Sequence, residues 1–519
     1  MLQIRNLTIL HKKDYRELLK DFSFTLNPGD KAVIIGEEGN GKSTLLKWIY
    51  DPELVEEYAE VNGQRLVHGE RLGYLAQELP AADRGKSLYE YFSEDLTFWD
   101  QTPGELSRLA SKLGFTADFF YGEQKLGTLS GGEKVKAQMA RLLIADPTVF
   151  LLDEPSNDID IETLEWLEQW IRESDRPVLF VSHDETLIEN TANVVIHIEQ
   201  LKRKTESHYT VARLSYRQYM EERLNRLDRQ EQQALNDRRE EKIRQEKFRR
   251  IQQKVEHEQN AISRQDPHGG QLLKKKMKAV KSLEHRYERE AGQMTQMPET
   301  EEAIFFKFGE DIRIPAGKTV LEYECKELYA PAEGAAGHGR LLAKDIFLRV
   351  KGGEKICIVG SNGAGKTTLL RKIAAELLER KDIHAEYMPQ NYEELLDLSK
   401  TPVEFLSVTG EKEELTRIRT YLGSMKYTAD EMSHPIAELS GGQKAKVLLL
   451  RMSMSGADVL ILDEPTRNFS PLSGPVIRQV LRAYGGVIIS ISHDRKYIRQ
   501  VCGTTYRLTA EGLLPVPSP

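Results

Sequence analysis

The chain has 519 residues, room for three or four domains each with its own core. Its 30% charged residues and mean hydropathy of -0.51 leave no run of about 20 apolar residues to span a bilayer, since even the stretch 447 to 462 is broken by Arg451 and Asp458. Three scattered cysteines, Cys325, Cys357 and Cys502, exclude a disulfide framework or a zinc site of CxxC type, and the net charge of -8 conceals a basic segment, residues 201 to 300, with 24 Lys plus Arg against 16 Asp plus Glu.

The N-terminus, MLQIRNLTILHKKDY, lacks the basic-then-apolar layout of a signal peptide, so a reducing cytoplasm is the expected location. The first diagnostic element is a predicted strand, KAVII (31 to 35), that feeds Gly36, Glu37, Glu38, Gly39, Asn40, Gly41, Lys42, Ser43 and Thr44. This matches G-x-x-x-x-G-K-[ST], in which glycines let backbone N–H groups curl around phosphates, Lys42 neutralises phosphate oxygens, and Ser43 is a candidate Mg²⁺ ligand. Next come Gln77 at the end of GYLAQ and the sequence LSGGE, whose Ser130, Gly131 and Gly132 open a predicted helix. The strand VFLLDEP then ends in Asp153, suited to holding Mg²⁺ through water, and Glu154, suited to polarising an attacking water. A further strand, VLFVSHD, ends at His183.

From about Ser215 to Asn260 glycines are few and charges many, while Met220, Leu224, Leu227, Ala234, Phe248, Ile251, Val255 and Ile262 fall mostly three, four or seven apart. That spacing predicts a helix of some 45 residues, a rod of roughly 65 to 70 Å. SRQDPHGGQ (263 to 271) signals a turn, with the tip near Pro267 to Gly270, and Leu273, Met277, Val280, Leu283 and Tyr287 mark a second, antiparallel helix. Near the tip, Lys274, Lys275, Lys276, Lys278 and Lys281 crowd a turn or two, a patch suited to a polyanion such as RNA.

The first pattern then recurs. KICIV (355 to 359) feeds Gly360, Ser361, Asn362, Gly363, Ala364, Gly365, Lys366, Thr367 and Thr368, with Thr367 in the Mg²⁺-ligand place. Gln390 ends EYMPQ; Ser440, Gly441 and Gly442 lie in LSGGQ; Asp463 and Glu464 end VLILDEP; His493 ends VIISISHD. Ser130 to Ser440, Glu154 to Glu464 and His183 to His493 are each 310 residues apart, the mark of a duplicated domain.

This order of motifs, twice over about 420 residues, resembles the ATP-binding cassette ATPases. The resemblance implies an α/β fold of two tandem P-loop cassettes paired head to tail, so that Lys42 faces Ser440 and Lys366 faces Ser130, with ATP and Mg²⁺ as cofactors. It also implies that Gln77 and Gln390 sense Mg²⁺ and the γ-phosphate, that His183 and His493 are switch histidines, and that Glu154 and Glu464 are catalytic. Tyr15 and Tyr329 lie at suitable distances upstream of the phosphate loops for an adenine-stacking aromatic, and each fits a surface tyrosine equally well. The loop after the first DEP reads SNDID and ends in Asp160, whereas the second reads TRNFS with Ser470 in that place, so unequal ATP sites are expected.

Two cassettes, no membrane domain and a charged helical hairpin between them resemble the ABC-F proteins, and EPTRNFSPLSGPVIRQVL (464 to 481) resembles their antibiotic-resistance branch. That implies a cytoplasmic monomer with its cassettes paired within one chain. It would bind the ribosome through rRNA and P-site tRNA without a membrane partner, reach toward the peptidyl-transferase centre, and protect against lincosamides, pleuromutilins and streptogramin A. A housekeeping ABC-F translation factor is the alternative. A transporter ATPase subunit is disfavoured by the basic hairpin, and a DNA-repair ATPase by the position of the rod between complete cassettes. The segment between Gln77 and Ser130 leaves no room for an inserted arm, and no basic tail is expected after His493. The expected domains are 1–203 and 301–519 for the cassettes and 204–300 for the linker, with its tip near 263–271.

Overall fold

The apolar runs that precede each glycine loop become the middle of a sheet. In the computed structural model, residues 2–201, 206–261, 267–291, 294–298, 308–309, 314–330 and 339–517 are described. The first cassette contains β1 (Leu2–His11), β2 (Glu17–Leu26), β3 (Lys31–Ile35), β4 (Ala59–Val67), β5 (Leu72–Leu75), β6 (Val149–Asp153), β7 (Val178–Val181), β8 (Val194–Leu201) and β9 (Glu206–Ala212). The six-stranded sheet runs β5-β6-β7-β3-β8-β9, parallel except for β9, while β2-β1-β4 forms an antiparallel sheet. Strands β3, β6 and β7 are buried along their whole length, as parallel strands covered on both faces must be.

The helix Lys42–Tyr50 buries Leu45, Leu46 and Ile49 in one core with Ile34, Leu151 and Leu179. Its start, and the ends of β6 and β7, lie on the carboxyl edge of the sheet, where ligands bind in open α/β sheets. The second cassette repeats the plan with β10 (Thr319–Tyr329), β11 (Leu341–Lys351), β12 (Lys355–Val359), β13 (Ala385–Met388), β14 (Val459–Asp463), β15 (Val487–Ile491), β16 (Thr504–Thr509) and β17 (Gly512–Val516), in the sheet order β13-β14-β15-β12-β16-β17.

The chain forms two compact units, Met1–Tyr216 with Glu301–Pro519, and Arg217–Thr300. The boundary expected at residue 203 is therefore corrected: β9 pairs with β8 from Val195↔Ala212 to Leu201↔Glu206, so the first cassette needs these residues to complete its sheet.

In the larger unit the cassettes meet through ion pairs between arginines or a lysine of the second and acids of the first. Arg478 contacts Glu185 at 2.6 Å, Arg495 contacts Glu168 at 2.8 Å, and Lys496 contacts Glu189 at 2.6 Å. Glu168 and Arg478 are 310 residues apart, as are Glu185 and Arg495, so these two contacts are equivalents in which the first cassette always supplies the acid. Two copies of the first cassette placed face to face would instead oppose glutamates. The stretch 464 to 481, read from sequence for its resemblance to one branch, contributes to the seam through Arg467 on Asp158, the Phe469 carbonyl on His183 and Arg478 on Glu185, while Phe469, Ile477 and Leu481 sit in the second cassette's own core.

The smaller unit is a pair of helices, Tyr216–Ala261 and Pro267–Ala291. At 1.5 Å per residue the first extends roughly 69 Å. They run antiparallel: the rings of Phe248 and Tyr287 lie 6.1 Å apart, the Thr295 N–H donates to the Asp237 carboxylate at 2.9 Å, and Gln230 donates to the Gln296 carbonyl. Ala234, Val255 and Val280 are buried, but Leu224 and Ile251 are exposed, because a single partner covers only a narrow stripe. The expected tip is also corrected. Pro267, His268, Gly269 and Gly270 belong to the second helix, which starts on proline, a residue whose fixed φ suits the first helical position. Residues 262–266, and with them the first four residues of the expected turn, lie outside the described residues.

Candidate functional site

Each glycine loop is bent by residues with left-handed φ, and the helix behind it starts from such a glycine, Gly41 (φ 86°) or Gly365 (φ 96°). The lysine that follows curls back on its own loop: Lys42 Nζ donates to the Gly36 and Glu37 carbonyls at 2.9 Å, and Lys366 Nζ to those of Gly360 and Ser361 at 2.8 and 2.9 Å. Opposite each loop stands an LSGG helix of the other cassette. Ser130 caps Gly131–Ile144 in a capping box with Glu133, and Ser440 caps Gly441–Ser455 with Gln443.

At the second loop the cassettes enclose a cavity of about 1420 Å³, whose lining includes Ser130, Gly131, Lys366, Thr367, Asp463 and His493. The Asp160 carboxylate accepts from the Asn362 backbone N–H at 3.3 Å, and the Asn362 side chain donates to the Asp158 carbonyl at 2.6 Å. Gln390 and Arg467 donate to the Asp158 carboxylate at 3.3 and 2.9 Å. Three buried atoms here have no hydrogen-bond partner: Asp463 Oδ2, Glu464 Oε1 and His493 Nδ1. Burial pushes Asp463 up to about 6, and burial with Asp463 alongside pushes Glu464 well up too. His493, through burial and then the Lys366 charge, falls to about 3. Two adjacent buried carboxylates with orphaned oxygens fit a divalent cation, whose charge would offset their mutual repulsion.

At the first loop the same groups are satisfied within the protein. Ser43 and Tyr74 donate to the two oxygens of Asp153 at 2.8 and 3.0 Å. Glu154 meets His183 Nε2 at 3.0 Å and accepts from Asn157 at 2.6 Å and Gln77 at 3.3 Å. Burial raises the Glu154 carboxyl, but His183, Lys42 and Asn157 together outweigh it and hold it at about 2. His183 Nδ1 reaches across to the Phe469 carbonyl at 2.8 Å. Glu154 and Glu464 both have φ near +50°, at 48° and 54°, an uncommon conformation for non-glycine residues that aims each side chain off the end of its strand.

The expected asymmetry after the DEP motifs has a structural counterpart. Asp160 crosses to the opposite loop, whereas Ser470 donates to Ser473 of its own cassette at 3.3 Å. Tyr15 is 77% exposed and Tyr329 40% exposed. Tyr329 donates to Glu327, and it is its neighbours Ala330, Arg340 and Leu342 that line the cavity. Sequence reading missed two arginines. Arg16 donates to the Gly39 carbonyl at 2.9 Å and Arg340 to the Gly363 carbonyl at 3.4 Å. They are 324 residues apart, the spacing of Lys42 and Lys366, and that coincidence was available in the sequence.

Lys274, Lys275, Lys276, Lys278 and Lys281 are all exposed on the second hairpin helix. Among the described residues no helix is long and apolar enough to cross a membrane.

A sequence profile for the family described as "ABC transporter" matches residues 19–157 and 343–467. The chain is 24% identical to "ABC transporter F family member 5" of Arabidopsis thaliana, over 94% of this chain and 73% of that one. It is 27% identical to "ATP-binding cassette sub-family F member 2" of Mus musculus, over 94% and 77%. Among solved structures, archaeal ribosome recycling factor aABCE1, in complex with the ribosomal stalk protein aP1, has a similar fold, with a TM-score of 0.59 at 18% identity over 98% of this chain and 90% of that one.

Proposed function

Since this chain belongs to the ATP-binding cassette family and is an ATPase, we propose that it is a cytoplasmic, ribosome-binding protein of the ABC-F type. In this reading ATP closes the paired cassettes, hydrolysis releases them, and the stroke moves a rod into RNA rather than a solute across a bilayer. The observation that carries it is the lysine cluster, five exposed cations on a helix of a hairpin that lies in sequence between two complete cassettes. A cluster of that kind suits phosphate contact. The similarity to F-family proteins over nearly the whole length, and to the fold of a ribosome recycling factor, supports the same partner.

Each residue then has a task. The loop amides of 36–44 and 360–368 cradle the phosphates, with Lys42 and Lys366 turning from their own carbonyls to phosphate oxygens. Ser43, Asp153 and Gln77, and Thr367, Asp463 and Gln390, would hold Mg²⁺, which when bound neutralises charge developing on the phosphates. Glu154 and Glu464 orient and polarise water, His183 and His493 position those carboxylates, and the LSGG residues of the opposite cassette meet the γ-phosphate. One monomer supplies both halves of both sites.

Within this type, protection against lincosamides, pleuromutilins and streptogramin A, with the hairpin reaching toward the peptidyl-transferase centre beside P-site tRNA, is one role; a housekeeping role in translation is the other. Sedimentation through sucrose with a nonhydrolysable ATP analogue tests the partner: co-migration with ribosomes is expected, and migration with DNA or membrane vesicles alone would sink the reading. A drug-susceptibility panel in cells with and without the protein separates the two roles.

A further inference from the structure

The two glycine loops differ at one position that matters. Asn362 of the second loop corresponds to Glu38 of the first. Asn362 is neutral and reaches the Asp158 carbonyl. Glu38 is an anion, and its Oε2 accepts from the Gly442 N–H at 2.5 Å, in the first turn of the 15-residue helix Gly441–Ser455. Beside it Glu37 pairs with Lys446 of the same helix at 3.3 Å. The chain therefore places a carboxylate on the amide that in a paired cassette serves the γ-phosphate, in the positive field of a helix N-terminus.

Three independent observations point the same way. The space between Glu37, Glu38 and the Ser440 to Lys446 turn is only about 30 Å³, whereas between the second loop and the Ser130 helix lies part of a cavity of about 1420 Å³ that extends to Gln77 and His183. Asp153 and Glu154 are hydrogen-bonded within the protein, whereas Asp463 Oδ2 and Glu464 Oε1 have no hydrogen-bond partner, His493 Nε2 standing 3.5 Å from the latter. The cassette that faces Glu38 carries Ser470, which bonds within its own cassette, where the other carries Asp160, which crosses.

We propose that Glu38 is a built-in stand-in for the γ-phosphate, so that the first site closes on the chain's own carboxylate and only the second site reads whether ATP or ADP is bound. A γ-phosphate entering the first site meets a like charge already seated on the Gly442 amide, and it gains little that Glu38 does not supply. The first site thereby acts as the closed side of the pair, and the second, where Asn362 leaves the Ser130 helix available, as the side that opens. The inference rests on the ATPase reading and is independent of the ribosome.

The test uses the full chain and fluorescent mant-ATP and mant-ADP. With Lys366→Ala disabling the second loop, the remaining site is expected to bind the two nucleotides with a dissociation-constant ratio near one. Adding Glu38→Gln, which keeps size and removes charge, or Glu38→Asn, which copies the second loop, is expected to favour mant-ATP by about tenfold, the scale of one charge-assisted hydrogen bond. In parallel, Glu464→Gln should abolish nearly all steady-state turnover, and adding Glu38→Asn should restore measurable turnover to it. A first site that already prefers mant-ATP tenfold with Glu38 intact, or a ratio that Glu38→Gln and Glu38→Asn both leave unchanged, overturns the proposal. Failure of the wild type to bind either nucleotide would instead sink the ATPase reading itself.

Discussion

Replacing Arg478 with Met tests whether the cassette seam is held by paired charge. Arg478 and Glu185 are 4% and 6% exposed at 2.6 Å, and Arg478 also donates to Gln500 at 2.8 Å. Removing one partner of a buried pair costs about 3–5 kcal/mol, because the other charge stays behind unpaired. Here Lys496 remains 3.2 Å from the same carboxylate, and burial already pushes the Glu185 carboxyl up despite both cations, so it takes up a proton readily. Both effects place the cost at the low end, about 3 kcal/mol, or roughly 6–12 °C in the melting of a cassette of this size. The sign with pH follows from linkage. Loss of Arg478 lifts the folded-state pKa of Glu185 further above its unfolded value, so the deficit grows as pH rises through that folded pKa and shrinks as pH falls below it. Scanning calorimetry at two pH values measures this, and Arg478→Met with Glu185→Met should recover most of the loss, since an apolar pair leaves no buried charge. A single-variant shift under about 2 °C, or a double variant no more stable than the single, would refute the reasoning.

Glu154→Gln with Glu464→Gln should leave ATP binding intact, stop turnover and strengthen co-sedimentation with ribosomes; an unchanged ATPase rate would remove both residues from catalysis. Gly131→Ala would put a methyl 2.0 Å from the Asp158 carbonyl of the same cassette, which accepts from Asn362 of the second loop, so it should displace that carbonyl, break the Asn362 contact and cut ATPase activity by roughly tenfold or more; full activity would show that the contact is dispensable. Changing Lys274, Lys275, Lys276 and Lys278 to Gln should flatten the salt dependence of ribosome binding by up to roughly four counterions' worth while free ATPase activity holds, and an unaltered slope would show that these lysines make no phosphate contact.

The sequence by itself was enough for everything that lives in a contiguous segment. A phosphate loop needs its glycines, lysine and hydroxyl side by side, a helix start needs its cap, and a strand ending in Asp-Glu needs only its own apolar run, so both cassettes could be read from motif order and the 310-residue spacing. The hairpin was legible for the same reason, as periodicity along one helix. Its details were less so: Leu224 and Ile251 fit the apolar spacing yet face solvent, and Pro267 looked like a turn but starts a helix. What only the tertiary structure decided are the contacts between residues hundreds of positions apart, which leave no local pattern. Nothing near Glu38 announces that Gly442 will donate to it, nothing near Arg478 announces Glu185, and nothing in the two LDEP motifs says that Asp153 and Glu154 will be hydrogen-bonded while Asp463 Oδ2 and Glu464 Oε1 are left without a hydrogen-bond partner. A duplicated sequence makes the two sites look alike; folding two unequal copies against each other makes them different, because each site is built from one loop of one cassette and one helix of the other.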